Sequence, residues 1–335
     1  MRNLFILIAL ALTASTVSYT HAESDSAESV AMPDSTVAVI AWFNKRDTVT
    51  YWINEGEWKI KGTDTIKSAG INTKVMLTVA DSTDEGYTME YQFLDFQGDA
   101  LADSELGALQ NRIAEKLGKR IIGTKIRFHT DEYGTITRYD NLNHIKKQAK
   151  SLFKEASKEL LALPVVDSLK SIGFDISKYI KKVDTDQLVQ GYLEELELLF
   201  LCHGNIYELG ESSIHEDETD TKYASDTYNT ASIDPETQNY SITCQVDSEI
   251  PQEALKSIVG AIVDEFSDAE ITKNFNETFD TQVKGGAVTT YVGITYFPDG
   301  WPTDVVKQTK VTVGPTSKIN QTYITWDYRS TGHQN

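Results

Sequence analysis

The stretch Asp81–Tyr91, DSTDEGYTMEY, returns 153 residues later as Asp234–Cys244, DPETQNYSITC. Aligned without gaps, Asp81 meets Asp234, Gly86 meets Asn239, Tyr87 meets Tyr240, Thr88 meets Ser241 and Met89 meets Ile242. Gly and Asn take a positive φ most readily, so each copy predicts a turn closed just before a strand. Past the turn, Tyr87, Met89, Tyr91 and Phe93 alternate with Thr88, Glu90 and Gln92. In the second copy Tyr240, Ile242, Cys244 and Val246 alternate with Ser241, Thr243 and Gln245. A period of two with one apolar side predicts a half-buried strand in both places.

The echo extends to either side. INEGE from Ile53 returns as IYELGE from Ile206 with one inserted residue. Downstream, Leu106, Leu109, Ile113 and Leu117 make a helical stripe after a cap at Asp103 or Ser104, and Leu255, Ile258, Val259, Ile262, Val263 and Phe266 make a wider one after Pro251. Hairpin turns follow at Gly134 and Gly300. Between the copies, Ile145, Ala149, Leu152, Phe153, Ala156, Leu160 and Leu161 recur at helical spacing until Pro164, and a second helix opens at Asp184 with Gln187 and stops at Gly204. The expected fold is therefore α+β: a predominantly antiparallel, curved β-sheet built from two related halves (β-meander, helix, hairpin) with a helical insert between them. The expected division is a signal peptide at 1–22, a polar segment at 23–36, a first β-rich half at 37–141, the insert at 142–204, a second half at 205–329 and a tail at 330–335. One shared sheet and two separate lobes both satisfy this pattern.

The leader MRNLFILIALALTASTVSYTHA places one positive charge before an apolar run that is too short to span a bilayer, with Thr20 and Ala22 at cleavage spacing. It predicts export to the periplasm or exterior, and no Cys stands at the cleavage point to take a lipid anchor. The formal charge of −19 becomes −20 once Arg2 leaves with the leader. That field repels phosphate backbones and anionic headgroups, so nucleic acid is not an expected partner and stable membrane insertion is not expected. Lys146, Lys147, Lys150, Lys154 and Lys158 fit the solvated side of a helix. In an oxidising compartment Cys202 and Cys244 permit one bridge, for which loop-closure entropy gives roughly 4 kcal/mol. Cys244 also falls on the apolar side of its strand, where a free thiol serves as a small buried hydrophobe.

The run FHTDEYGTITRYDNLNHIKK from Phe128, with FPDGWPTDVVKQTKV near the end, resembles a motif of exported proteins in Bacteroidetes-type bacteria. That family has no assigned activity to carry over. Asp followed by Ser or Thr and a small or aliphatic residue is similar to the general O-glycosylation signal of those bacteria, and marks Ser26, Ser35, Thr48, Thr65, Ser82 and Ser168. Asn239, Asn276 and Asn320 stand in N-x-S/T sequons.

No catalytic, cofactor-binding or metal motif is legible. The histidines are scattered, no nucleophile elbow, Walker loop or dinucleotide fingerprint occurs, and His215–Asp226 lacks the alternating carboxylates and central Gly of a calcium loop. Trp52 and Trp58 share strand parity, which suits either a sugar-stacking platform or ordinary packing. The primary expectation is a non-catalytic binding or structural protein that holds an apolar ligand or a protein partner. Its pocket is expected beneath the duplicated strands, near Tyr87, Met89, Tyr91, Tyr240 and Ile242, against the helix bearing Leu152 and Phe153. Alternatives are a secreted hydrolase using paired carboxylates on a glycan, and a surface adhesion or assembly module.

Overall fold

Long alternating strands need partners on both sides to satisfy their backbone groups, and here they find them in one another. The computed structural model describes residues 35–98, 115, 118–162, 164–171, 177, 185–219, 223–266, 269–314 and 316–331. The leader at 1–22, nearly all of the segment 23–36, the stripe Leu106–Leu117 with its caps, and Asp184 lie outside these residues.

The strands are β1 (Thr36–Ala38), β2 (Thr48–Lys61), β3 (Asp64–Thr83), β4 (Gly86–Gly98), β5 (Lys125–Thr130), β6 (Ile136–Tyr139), β7 (Ile206–Glu208), β8 (Gly210–Glu216), β9 (Ser225–Ile233), β10 (Tyr240–Pro251), β11 (Gly285–Tyr296), β12 (Pro302–Val313) and β13 (Thr316–Ser330). The helices are α1 (Leu142–Leu161), α2 (Pro164–Ser171), α3 (Thr185–Phe200), α4 (Gln252–Phe266) and α5 (Ala269–Gln282). Eleven strands form one antiparallel sheet in the order β6-β5-β4-β3-β2-β13-β12-β11-β10-β9-β8, and β1 pairs with β7 beside it. The α+β expectation holds, and a single sheet replaces the two-lobe option. On either side of β13 stand two runs of five strands, β6 to β2 and β12 to β8, each in descending chain order.

The sheet is strongly rolled. Its β5–β6 and β11–β12 turns lie six strand positions apart, roughly 29 Å in a flat sheet. Yet both turns bond the same short segment: Ala41 N donates to Tyr133 O at 2.9 Å and the next residue, Trp42 N, donates to Asp299 O at 3.0 Å. Val39 N in turn reaches Asn205 O at 3.0 Å. The segment 39–43 therefore draws opposite sides of the sheet together at one end.

The C-terminus of α3 fills that closed end. Val189, Leu193, Leu196, Leu199 and Phe200 are buried along it, and each large apolar side chain so buried contributes about 1.5–3 kcal/mol. The Phe200 ring meets Phe128 of β5 at 5.4 Å and His203 at 5.1 Å, while His203 meets Tyr296 of β11 at 5.6 Å. Phe43 stacks on Trp301 at 4.0 Å. Burial pushes the His203 pKa down to about 4, so its imidazole is neutral and Nε2 donates to Gly300 O at 3.0 Å.

The turn glycines act as the spacing indicates, at φ +100° for Gly134 and +86° for Gly300. In the second copy of the repeat the left-handed residue is Gln238 at φ +59°, not Asn239. Asp234 explains the shift: its carboxylate accepts the backbone N–H of Glu236 at 2.9 Å and the Thr237 hydroxyl at 2.8 Å, holding a longer turn. Pro164 ends the α1 pattern and starts α2, where its missing N–H costs nothing. Among the described residues the sheet is not closed by strand pairing: β6 has four residues, and β8 is exposed along its length with Glu211, His215 and Glu216 on it. Short or charged edges discourage a further strand.

A Cβ on Gly300 would stand 2.2 Å from Ile40 O, whereas one on Gly62, also left-handed at φ +62°, meets nothing. Gly300→Ala is expected to cost about 3 kcal/mol or more and Gly62→Ala about 1 kcal/mol in urea unfolding. Equal costs would mean that the segment 39–43 does not hold the rolled end.

Candidate functional site

The residues predicted to share a pocket are divided by the fold. Met89 and Tyr91 on β4 and Tyr240 and Ile242 on β10 all point to the concave face and are buried, but β4 and β10 are six positions apart in the sheet. Tyr87 donates its hydroxyl to Ala41 O at 2.8 Å, and Tyr240 stacks on Tyr296 at 5.2 Å. These four strand positions and Tyr87 are core packing at the closed end. Leu152 differs. It lines an apolar crevice between β4, β5 and α1, together with Phe93, Ile121, Thr124, Ile126, Ile145, Gln148 and Ala149, with about 210 Å³ of empty volume including the mouth. Phe153, half-buried on the same helix, does not line it. Across this lining Gln148 Nε2 donates to Thr124 Oγ1 at 2.8 Å, and Phe93 N donates to Thr124 O at 3.2 Å.

Next to the crevice the concave face changes character. The row Ile294, Val305, Ile324, Ile53 is apolar and buried, but one step further along the strands it becomes Lys307, Thr322, Glu55. Helix α3 lies over this row, because Lys307 Nζ bonds Glu194 at 2.5 Å. Three acids of α3, Glu194, Glu195 and Glu197, lie along this part of the helix. Glu194 has Lys307, and Glu197 accepts from Tyr139 Oη at 3.0 Å and Gln190 Nε2 at 2.9 Å. Glu195 accepts from its own backbone N–H and lies in the field of Glu55, Glu194 and Lys307. Burial, then the charge of Glu55, holds the Glu195 carboxyl well above the usual carboxylate range. Burial, then the charge of Glu194, pushes Glu55 up to about 7. Both residues retain partial exposure, so solvent reaches them. The Tyr91 hydroxyl is buried without a hydrogen-bond partner, in the field of Glu195 and Glu55, while its ring packs edge-on against Phe93 of the crevice at 5.1 Å.

The sequence motifs did not expose this pair, although a signal exists. Glu55 continues the buried stripe Val49, Tyr51, Ile53, and Glu195 falls one turn from Leu199 on the inward side of α3; each acid sits where its element's pattern calls for an apolar side chain.

The bridge that Cys202 and Cys244 permit is not formed: both thiols are free, Cys202 buried and Cys244 half-buried. Cys202 lies in the turn after α3 against the hydroxyls of Tyr207 and Tyr296, and burial raises its pKa. Trp58 lies over Gly56 on the convex face, and Trp52 lies beneath Lys74 Nζ at 5.1 Å, so both pack on their own sheet. Of the hydroxyls in glycosylation patterns, Ser35, Thr65 and Ser168 are exposed, Thr48 and Ser82 half-buried, and Ser26 lies outside the described residues. Among the described residues no helix is long and apolar enough to cross a membrane.

No protein family and no curated protein matches the chain. Among solved structures, a structure titled for lipid–protein interactions in lipovitellin is similar at 9% identity and a TM-score of 0.41, over 88% of this chain and 26% of that one. An outer membrane channel from Pseudomonas putida F1 is similar at 8% identity and a TM-score of 0.13, over 89% of this chain and 100% of that one. The chain thus spans about a quarter of the lipovitellin chain's length. Likenesses of this degree carry no weight for fold or function.

The acid pair gives stability a pH dependence with a definite sign. A carboxyl raised from 4.5 to about 7 holds its proton more tightly in the folded chain, so its contribution is present below pH 4.5 and lost as pH rises through 7. Unfolding free energy is expected to fall by on the order of 2–3 kcal/mol from pH 5 to pH 8, and Glu55→Gln is expected to flatten that fall and be the more stable form at pH 8. An unchanged slope in Glu55→Gln would mean that another group titrates. Separately, dithiothreitol is expected to leave the melting temperature unchanged, and a fall of several degrees would mean that a bridge forms.

Proposed function

We propose that the protein is an exported, non-catalytic carrier or receptor that holds an apolar ligand between the concave face of its rolled sheet and the covering helices. The crevice carries this reading. Its lining is six apolar side chains and one amide–hydroxyl pair, drawn from β4, β5, the helical turn ending at Ile121, and α1. The space inside it admits little more than a water molecule, so an acyl-sized ligand enters only by displacing α1 outward. Helix α1 suits such a movement: Ile145 and Ala149 are its buried contacts, and its lysines lie on the other side. Export follows from the leader, and duplication of a β-meander, helix, hairpin unit accounts for the repeated sequence and for two five-strand runs in one order.

A glycan hydrolase acting through Glu55 and Glu195 is the second reading, favoured by the raised ionisation of two facing acids. The pair is roofed by α3 rather than standing in a cleft wide enough for a sugar ring, which places binding first. Sustained turnover on a glycan panel, abolished by Glu195→Gln, would reverse that order.

Native mass spectrometry of protein purified from its own host is expected to show a carried apolar molecule. Ala149→Phe, which fills the crevice, is expected to weaken binding of dodecan-1-ol at least tenfold while the melting temperature stays within a few degrees. Absence of any alcohol binding by the intact protein would remove the carrier reading.

A further inference from the structure

The formal charge of −19 is unevenly spread along the chain. Residues 119–158 carry ten Lys and Arg against Asp131, Glu132, Asp140 and Glu155, a net charge of +6. Half of these cations are taken: Lys119 by Glu115, Arg120 by Glu155, Lys125 by Glu90, and Arg127 and Arg138 by Asp140. Lys147, Lys150, Lys154 and Lys158 of α1 are all exposed, and among the described residues no acid pairs with them. At about 100° per residue the four share an arc of roughly 80° and span roughly 16 Å of the helix. The buried Ile145 and Ala149 lie on the opposite side. Each lysine has the next as its neighbour three or four residues on, an arrangement that costs a helix stability where interspersed acids would add it. Helix α1 has two acids, and Glu155 is drawn off to Arg120 while Glu159 has a partner of its own. The stripe therefore fits a partner that brings the missing negative charge.

We propose that this face of α1 docks the protein on an anionic bilayer, with the four lysines against lipid phosphates. The surface points away from the crevice and does not depend on the carrier reading. All four cations are Lys and none is Arg. Flexible, strongly hydrated point charges suit a diffuse sheet of negative charge, whereas a single fixed phosphate or carboxylate is held by the Arg fork. Leu161, at the end of the same arc, is 38% exposed and gives the face an apolar foot that a bilayer receives and a purely anionic polymer does not. The helix adsorbs without inserting, because its apolar side stays packed on the sheet. Each lysine near an anionic surface raises partition about fivefold, so four raise it on the order of several hundredfold. The negative charge on the rest of the chain opposes this only within a Debye length, about 8 Å at physiological salt.

The test is flotation of the full mature chain with vesicles of phosphatidylglycerol and phosphatidylcholine, about 3:7, and with phosphatidylcholine alone, at about 50 and about 300 mM NaCl. Binding is expected on the anionic vesicles at low salt, and at least tenfold weaker at high salt or without the anionic lipid. The combined variant Lys147→Gln, Lys150→Gln, Lys154→Gln, Lys158→Gln is expected to bind at least tenfold more weakly, with a melting temperature no lower than that of the unaltered chain. The combined variant Lys45→Gln, Lys273→Gln, Lys284→Gln, Lys310→Gln removes the same charge from exposed positions elsewhere and is expected to bind within twofold of the unaltered chain. Leu161→Ser is expected to weaken vesicle binding two- to threefold and to leave binding to heparin, a soluble polyanion, unchanged. No binding to anionic vesicles, or equal losses in the two lysine variants, overturns the docking face. Vesicle binding untouched by Leu161→Ser assigns the stripe to a soluble polyanion and overturns the bilayer. Binding of dodecan-1-ol is expected to be the same in both lysine variants, so the carrier reading stands or falls separately.

Discussion

The segment Val39–Phe43 is the contact on which the rest of this structure depends. An eleven-stranded antiparallel sheet twists and coils on its own, but coiling alone does not fix how far it rolls. Consecutive backbone N–H groups at Ala41 and Trp42 bind turns from opposite sides of the sheet and set that distance. The bonds themselves are worth only about 1 kcal/mol each, so the segment works with what it encloses. Phe43, Trp301, Phe200 and His203 pack as one aromatic group whose walls exist only while the two turns are held together. Helix α3 then has a socket, and its position fixes which side chains meet along the rest of the concave face.

That face is graded along the strands. The row Val305, Ile324, Ile53 is apolar; one step beyond it three neighbouring positions become Lys307, Thr322 and Glu55, while Val292 beside them stays apolar and buried. Most of the charges there are matched, and matched locally, by the pairs Glu194–Lys307 and Glu57–Lys318. Against that background the pairing of Glu55 with Glu195 is an exception. Removing two acids from water opposes folding, and their burial raises the proton affinity of both carboxyls even with Lys307 acting on Glu195.

The strands, turns and helices were legible because each rests on local periodicity. Tyr87, Met89, Tyr91 and Phe93 alternate whatever their partners are, and Gly134 and Gly300 close turns by their own conformational freedom. Which strand lies beside which was not legible, since β13 pairs with β2 across almost the whole chain and no local rule dictates it. This is why Tyr87 and Tyr240, equivalent in the repeat, were placed in one pocket although six strand positions separate their strands. The acid pair was hidden for the same reason: Glu55 and Glu195 are 140 residues apart, and only the seating of α3 brings them together. The turn before β10 shows a finer limit, where the side chain of Asp234 moved the left-handed position from Asn239 to Gln238.

Among the described residues β6 and β8 are unpaired edges, and this has a consequence for the girth of the rolled sheet. A true barrel has a bore fixed by strand number and stagger, and it cannot widen without breaking a ladder. Here the girth is held by a plug and a tether, so the two rims can separate or approach while every interstrand bond survives. The girth of the rolled sheet is thus set by packing and by the segment 39–43, not by strand count.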